Sequence, residues 1–534
     1  MIIPLVRFLP LLLSLTVAST AATDLPVNPA AENRPLDPAL PTLFIAGDST
    51  AAPGSEASLG WGVPFPDYFD PAKINVVNLA RGGRSSRTFI TEGLWDRLIA
   101  QVKAGDFVLI QFGHNDGSPV NEEATVPPER RRSRGSLPGL GEETVEIDNI
   151  VTGRHEVIRT FGWYLRKMIA DVQAKGATPI LLSLTVRHLW TDGRVERGSG
   201  QYRVWIRELA RSAGIGFIDH TRLIADEYQR RGEAAVKELF PRDYVHTSAA
   251  GADLNAALVV AGLKGLRPVP FKEVYSSRGE AVEADRIGWL NLPEPADPKL
   301  PSLVLIGDST VRNGGGDGAN GEWGWGDFLG AHFDPAKVNL VNRAIGGLSS
   351  RTFRTQGHWE RALTLVKPGD FVLMQFGHND AAPLNDDQRA RGTIKGTGEE
   401  TEAIDNLLTK QPEVVHTYGW YLRQYIREAR AAGATPVVCS PVPRKTWQDD
   451  RIVRSTTDGY AAWARQVAEQ EGAAFVDLND LVATRYEALG AEAVNTLFAD
   501  AHTHTSRAGA ELNAGLVAGA LRALPGDPLA AWAK

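Results

Sequence analysis

Hydrophobic positions fall in short continuous runs. Leu43-Phe-Ile-Ala46 ends at Gly47, and Val76-Val77, Phe107-Val-Leu-Ile-Gln-Phe112, Pro179-Ile-Leu-Leu-Ser183 and Gly216-Phe-Ile-Asp219 follow. Runs of this length without polar alternation predict strands buried on both faces of a parallel sheet. Between them lie helical patterns. From His155 onward, Ile158, Phe161, Leu165, Met168 and Val172 recur at three- and four-residue spacing, and Gly176 ends that helix before the next strand. Strand alternating with helix predicts an α/β layer fold of about five parallel strands with helices on both faces. In such sheets chemistry gathers in loops beyond the strand C-terminal ends.

The second half repeats the first. Leu303-Val-Leu-Ile306, Phe371-Val-Leu-Met374, Val437-Val438 and Phe475-Val-Asp477 echo the earlier strands. Polar blocks recur as well: Gly47-Asp-Ser-Thr50 as Gly307-Asp-Ser-Thr310, and Gln111-Phe-Gly-His-Asn-Asp116 as Gln375-Phe-Gly-His-Asn-Asp380. Gly82-Gly83-Arg-Ser-Ser-Arg87 returns as Gly346-Gly347-Leu-Ser-Ser-Arg351, and His246-Thr-Ser as His504-Thr-Ser. The copies stand 258 to 264 residues apart along the whole length, which means two complete tandem domains rather than a solenoid of small units. Domain one is placed at 40–266 and domain two at 300–526, with 267–299 joining them, 23–39 as an N-terminal linker and 527–534 as a tail.

Composition narrows the class. With 43% hydrophobic and 23% charged residues the chain is globular. A net charge of -7 gives no sign of nucleic-acid binding. Residues 1–22 combine Arg7, a short apolar stretch from Phe8 to Val17 and small residues from Ala18 to Ala22, the pattern of an export signal too short for comfortable membrane spanning. The expected address is therefore secreted or periplasmic, with no membrane attachment after cleavage. The single cysteine, Cys439, excludes an internal disulfide and reads as a buried thiol.

The repeated blocks carry the ingredients of ester hydrolysis, which needs a nucleophile, a base and donors for a developing oxyanion. Ser49 follows a strand directly, Gly47 allowing a tight turn. His246 is a candidate base, and Asp243, three residues earlier, can orient its ring. Backbone N–H groups at Ser49 and Gly83, with the Asn115 side chain, are candidate oxyanion donors.

The ordered set Gly-Asp-Ser, Gly, Gly-x-Asn-Asp and Asp-x-x-His resembles the SGNH (GDSL-like) hydrolases. The blocks Gly83-Arg-Ser-Ser-Arg87, Phe112-Gly-His-Asn-Asp116 and His246-Thr-Ser-Ala-Ala-Gly251, with their domain-two copies, are more narrowly similar to the rhamnogalacturonan acetylesterase group, carbohydrate esterase family 12. The resemblance implies two flavodoxin-like three-layer α/β/α domains. It implies Ser49 and Ser309 as nucleophiles and His246 and His504 as bases. Gly83, Asn115, Gly347 and Asn379 become the oxyanion donors, with Asp243 as third member in domain one. It implies no cofactor or metal, and an acetylated, pectic polysaccharide as partner. The oligomeric state is left open.

Domain two departs from the pattern. Aligned without gaps, Phe240-Pro-Arg-Asp243 faces Phe498-Ala-Asp500-Ala501, so alanine occupies the triad aspartate position. Asp500 can swing in, His504 can act in a dyad, or the domain can serve mainly to bind. A metal reading of Asp500, His502 and His504 has no counterpart in domain one. Arg84, Arg87 and His114, with Arg351 and His378, are candidates for substrate contact. Loop cations Arg130, Arg131, Arg132, Arg134, Arg389, Arg391 and Lys395 can flank a groove for an acidic sugar polymer. Trp61, Trp95, Trp323, Trp325 and Trp359 are read mainly as packing residues. The rival functions are a general short-acyl esterase or lipase, and one catalytic domain joined to a decayed carbohydrate-binding one.

Overall fold

The computed structural model describes residues 36–534 apart from 55–57, 192, 198–200 and 291. The export-signal reading of residues 1–22 falls outside the described residues. Each domain is built on one five-stranded sheet in which every pairing is parallel. In domain one these are β1 (Thr42–Gly47), β2 (Asn75–Asn78), β3 (Phe107–Gln111), β4 (Thr178–Leu182) and β5 (Gly216–Ile218), in the order β2-β1-β3-β4-β5. Domain two repeats the order with β6 (Ser302–Gly307), β7 (Asn339–Asn342), β8 (Phe371–Gln375), β9 (Thr435–Cys439) and β10 (Ala474–Val476), arranged β7-β6-β8-β9-β10. The expected three-layer α/β/α fold, with five strands per domain, is the one observed.

Alternate strand residues feed two cores. Leu43 and Ile45 of β1 pack with Leu109, Ile180 and Leu182 against Val259, Val260 and Leu263 of helix α3 (Ala249–Gly265). Phe44 and Ala46 point the other way, with Val108 and Ile110. They meet Phe161, Leu165 and Met168 of α1 (Phe161–Ala174) and Ile206 and Leu209 of α2 (Tyr202–Ala213). Each such large apolar side chain contributes roughly 1.5–3 kcal/mol on burial. In domain two Leu303 and Leu305 face α6 (Arg507–Arg522), while Val304 and Ile306 face α4 (Tyr418–Ala431) and α5 (Tyr460–Glu471).

Two local readings change. The helix expected from His155 starts at Phe161, capped by Thr160, whose Oγ1 accepts from the Trp163 N–H. His155–Arg159 is instead a strand paired antiparallel with Thr144–Asp148, and Pro412–His416 pairs likewise with Thr401–Asp405. The stretch 267–299 belongs to both cores: Phe271 and Tyr275 pack on domain one, and Ile287, Leu290 and Leu292 on domain two. Trp61, Trp95, Trp325 and Trp359 are fully buried core residues, and Cys439 is buried, which pushes its thiol up to about 12. Among the described residues no helix is long and apolar enough to cross a membrane.

Candidate active site in each domain

Each site starts at the end of the first strand. Asp48, fully buried, accepts through Oδ1 from the Thr50 N–H (2.9 Å) and Oγ1 (2.8 Å), closing the turn that carries Ser49. Asp308 does the same for Thr310 at 2.9 and 2.8 Å. The neighbouring strand comes close here. A Cβ at Gly307 would lie 2.6 Å from the Gln375 carbonyl oxygen, which excludes a side chain, and one at Gly47 would lie a tight 3.2 Å from that of Gln111.

A hydrogen-bonded relay follows. In domain one Ser49 Oγ lies 2.9 Å from His246 Nε2, and His246 Nδ1 lies 2.8 Å from Asp243 Oδ2. Asp243 Oδ1 accepts from the N–H groups of Val245 (2.7 Å) and His246 (2.8 Å). In domain two Ser309 Oγ lies 2.9 Å from His504 Nε2, and His504 Nδ1 lies 2.7 Å from Asp500 Oδ2. Of the three arrangements open for domain two, the structure has Asp500 swung in. The frame is unchanged, since Ser248 N–H bonds the Leu239 carbonyl and Ser506 N–H that of Leu497. Within it the aspartate stands one residue earlier, and its Oδ1 accepts from three N–H groups, of His502, Thr503 and His504. Partial burial pulls Asp243 and Asp500 upward, but these hydrogen bonds outweigh it and hold both carboxyls below the ordinary range.

Beside the serine runs the glycine loop. Gly83 has φ +77°, a left-handed conformation that favours glycine, and Gly347 has +83°. Arg134 Nη1 donates to the Gly83 carbonyl at 3.0 Å and Arg391 Nη1 to that of Gly347 at 2.7 Å. Arg84 Nη1 donates to the Gly82 carbonyl at 2.9 Å. In a trans peptide the N–H lies opposite the C=O, so this bond fixes the direction of the Gly83 N–H. Asn115 Nδ2 donates to the Arg84 carbonyl at 2.9 Å, and Asn379 Nδ2 to that of Leu348 at 2.8 Å. Each amide nitrogen carries two hydrogens, so one bond of this kind leaves the second for a ligand.

Asp116 ties the glycine loop to the asparagine loop by accepting from Ser86 N–H, Ser86 Oγ and Ser136 Oγ. Burial pushes its carboxyl up to about 6, against those hydrogen bonds, and pushes Asp380 up to about 7. At the start of the helix after β5, burial pushes His220 down to about 4. Its Nδ1 lies 3.1 Å from Gln111 Nε2 and its Nε2 lies 3.0 Å from the Asn255 carbonyl, a neutral ring with both nitrogens used. The two shifts act oppositely on stability. Asp116 stabilises most below about pH 4 and loses this as pH rises through about 6, whereas His220 stabilises above about 6.5 and loses this as pH falls towards 4. Asp116→Asn removes only the first contribution. Domain one of that variant is expected to lose stability more steeply than the native domain as pH falls from 6.5 to 4, by up to roughly 1.4 kcal/mol per pH unit. Urea unfolding across that range measures it, and equal slopes contradict it.

The candidates for substrate contact divide. Arg87 and Arg351 are fully buried, which corrects their reading as groove residues. Arg87 Nη2 pairs with Glu156 Oε2 at 2.7 Å, and Arg351 grips Glu413 through Nε and Nη2, both at 2.7 Å. Arg84 pairs with Glu92 at 2.9 Å. His114 stands beside the relay, its Nε2 3.0 Å from Thr185 Oγ1. Burial lowers its pKa, with Arg187 and His246 adding to the effect. His378 is lowered in the same way, with Arg444 and His504 nearby. His188 N–H bonds the Tyr244 carbonyl and Lys445 N–H that of His502, both at 2.8 Å, which sets Arg187 and Arg444 next to the two histidine loops, cations that the sequence reading missed. Their signal was an arginine five residues after the end of the fourth strand in each half. Of the loop cations, Arg131 and Arg132 bond loop carbonyls, while Arg134 and Arg391 hold the glycine loop.

Asp500, His502 and His504 do not gather into one ligand set. His502 Nδ1 bonds Thr503 Oγ1, while Glu322 joins Asp500 and His504, their ligand atoms lying within 4.8 Å of one another. Within that group Asp500 and His504 are already bonded to each other.

Residues 45–254 and 305–512 each match the GDSL-like Lipase/Acylhydrolase family. The chain belongs to this family, in both of its domains, and is a carboxylic ester hydrolase. Among similar proteins, a rhamnogalacturonan acetylesterase of Emericella nidulans is 31% identical over 216 residues, 40% of this chain and 81% of that protein. A probable rhamnogalacturonan acetylesterase of Bacillus subtilis, YesY, is 34% identical over 232 residues, 42% of this chain and 94% of that protein. Among solved structures, the Bacillus subtilis protein YxiM aligns with a TM-score of 0.34 and 26% identity, over 42% of this chain and 57% of that one. The acetylxylan esterase Axe2 of Geobacillus stearothermophilus aligns at 0.28 and 19%, over 45% and 97%.

Proposed function

We propose that both domains are serine esterase sites that remove acetyl groups from a polysaccharide, and that the polymer is pectic. The observation that carries this reading is the Ser-His-Asp relay, hydrogen-bonded throughout in each domain. Ser49 Oγ attacks the acetyl carbonyl while its proton passes to His246 Nε2, and Asp243 holds the Nδ1 proton of the resulting imidazolium. The oxyanion takes hydrogen bonds from the Ser49 and Gly83 N–H groups and Asn115 Nδ2. Collapse releases the sugar hydroxyl with the proton from His246. Water activated by the same imidazole then cleaves the acetyl-serine and frees acetate. Ser309, His504, Asp500, Gly347 and Asn379 run the same cycle in domain two.

Two relatives named for rhamnogalacturonan support the pectic substrate. Arg187 and Arg444, next to the histidine loops through the His188–Tyr244 and Lys445–His502 backbone bonds, suit an anionic galacturonate chain. We place the protein outside the cytoplasm on its N-terminal pattern. Acetate release from acetylated rhamnogalacturonan, beside acetylated xylan and p-nitrophenyl acetate, tests the reading. Faster turnover of the pectic polymer is expected. Release from p-nitrophenyl acetate alone favours a general short-acyl esterase, and faster release from xylan overturns the pectic assignment.

A further inference from the structure

We propose that Glu322 is a second positioning carboxylate for His504, sharing with Asp500 the task of orienting the ring and balancing its charge. The proposal rests on the reading of domain two as a working site. His504 Nδ1 faces two acids: Asp500 Oδ2 at 2.7 Å and Glu322 Oε1 at 3.6 Å. The second distance is too long for a hydrogen bond but short enough for its charge to act on an imidazolium. When Ser309 Oγ gives its proton to Nε2, the ring becomes positive between two carboxylates. No bond to Glu322 forms or breaks.

Glu322 is held for this purpose. Asn313 Nδ2 donates to its Oε2, leaving Oε1 towards the histidine. Its neighbour Trp323 is fastened to the residue after His504, through Trp323 N–H to the Thr505 carbonyl at 2.9 Å and Thr505 Oγ1 to the Trp323 carbonyl at 2.8 Å. Domain one has the same fastening between Leu59 and Thr247, at 2.8 and 3.0 Å. There, however, Ser58 occupies the place of Glu322 and Pro53 that of Asn313. At these aligned positions the Asn313–Glu322 pair is thus found in domain two, where the orienting aspartate has moved by one residue. Should the Asp500 bond fail, a shift of under about 1 Å brings Oε1 within hydrogen-bonding distance of Nδ1.

The test uses the full chain in a Ser49→Ala background, so that domain two alone is read, with Ser49→Ala/Ser309→Ala as the floor. Glu322→Gln is expected to lower kcat about tenfold with KM unchanged, the effect of about 1 kcal/mol from a charge at this distance, and Glu322→Asp to recover most of the loss. Asp500→Asn is expected to lose no more than about 100-fold in kcat, while Asp500→Asn/Glu322→Gln falls by roughly 10⁴-fold, the loss typical of an unsupported triad histidine. The downfield proton resonance of His504 Nδ1 should survive in Asp500→Asn and vanish only in the double variant. Unchanged kcat in Glu322→Gln, or an Asp500→Asn variant as slow as the double, overturns the role of Glu322 while leaving the site reading intact. A Ser49→Ala parent no faster than the floor overturns the reading of domain two, and Glu322 with it.

Discussion

Arg87→Met is expected to destabilise domain one by about 3–5 kcal/mol, the usual cost of stranding one partner of a buried ion pair. The guanidinium is fully buried. Its Nε and Nη2 meet Glu156 Oε2 at 3.2 and 2.7 Å, and its Nη1 bonds the carbonyls of Val120 and Gly135, both at 2.8 Å. A thioether satisfies none of these acceptors. For a domain of this size each kcal/mol lowers the melting temperature by about 2–4 °C, so the domain-one transition should fall by roughly 10 °C. Gly135 adjoins Arg134, whose side chain fixes the glycine loop, so domain-one activity should fall with stability. Arg351→Met should do the same to domain two. There Glu413 is pulled up by burial yet held below the ordinary carboxylate range by Arg351 and Asn406. Calorimetry of each variant measures the loss, and a shift under about 1 kcal/mol contradicts the structural role.

That arginine also shows where sequence reasoning stops. Ser-Ser-Arg stands next to the glycine loop in both halves, so a charge there reads as a substrate contact. Its partner Glu156 lies 69 residues away in an antiparallel hairpin, and Glu413 lies 62 residues from Arg351. The hairpin itself was hidden because its exposed strands hold polar residues, and Ile158 fell into register with the helix that follows. The strands of the two sheets were legible because parallel strands are covered on both faces and must be apolar throughout. Their order also placed Ser49, Gly83 and Asn115 at one edge.

The shifted aspartate was half legible. A gapless comparison of the halves puts Ala501 opposite Asp243, yet a carboxylate four residues before the histidine reaches the same nitrogen as one three residues before. The turn between Leu497 and Ser506 decides this, through three N–H groups gathered on one oxygen, and turn geometry of that kind leaves no mark in residue spacing. Glu322 was hidden for a related reason. The comparison pairs it with Ser58, and only the Trp323–Thr505 fastening brings it to His504.

The second large effect concerns the two serines. Loss of a triad serine typically lowers kcat by about 10⁶-fold. With two independent sites, Ser49→Ala and Ser309→Ala should each keep a substantial part of the native rate, and only the double variant should be silent. Deacetylation of a polymer by the native chain should then exceed neither the sum of the two single-site rates nor fall below it at saturating substrate, unless the sites assist one another on one chain.

Labelling by a fluorophosphonate, read as intact mass, tests the central claim most directly, because the reagent reports an activated serine whatever the natural substrate. Two adducts are expected on the native chain, one on each single-serine variant and none on Ser49→Ala/Ser309→Ala. A native chain that takes one adduct and loses it in Ser49→Ala contradicts catalysis in domain two. A double variant labelled as fully as the native chain contradicts the serine assignment in both domains.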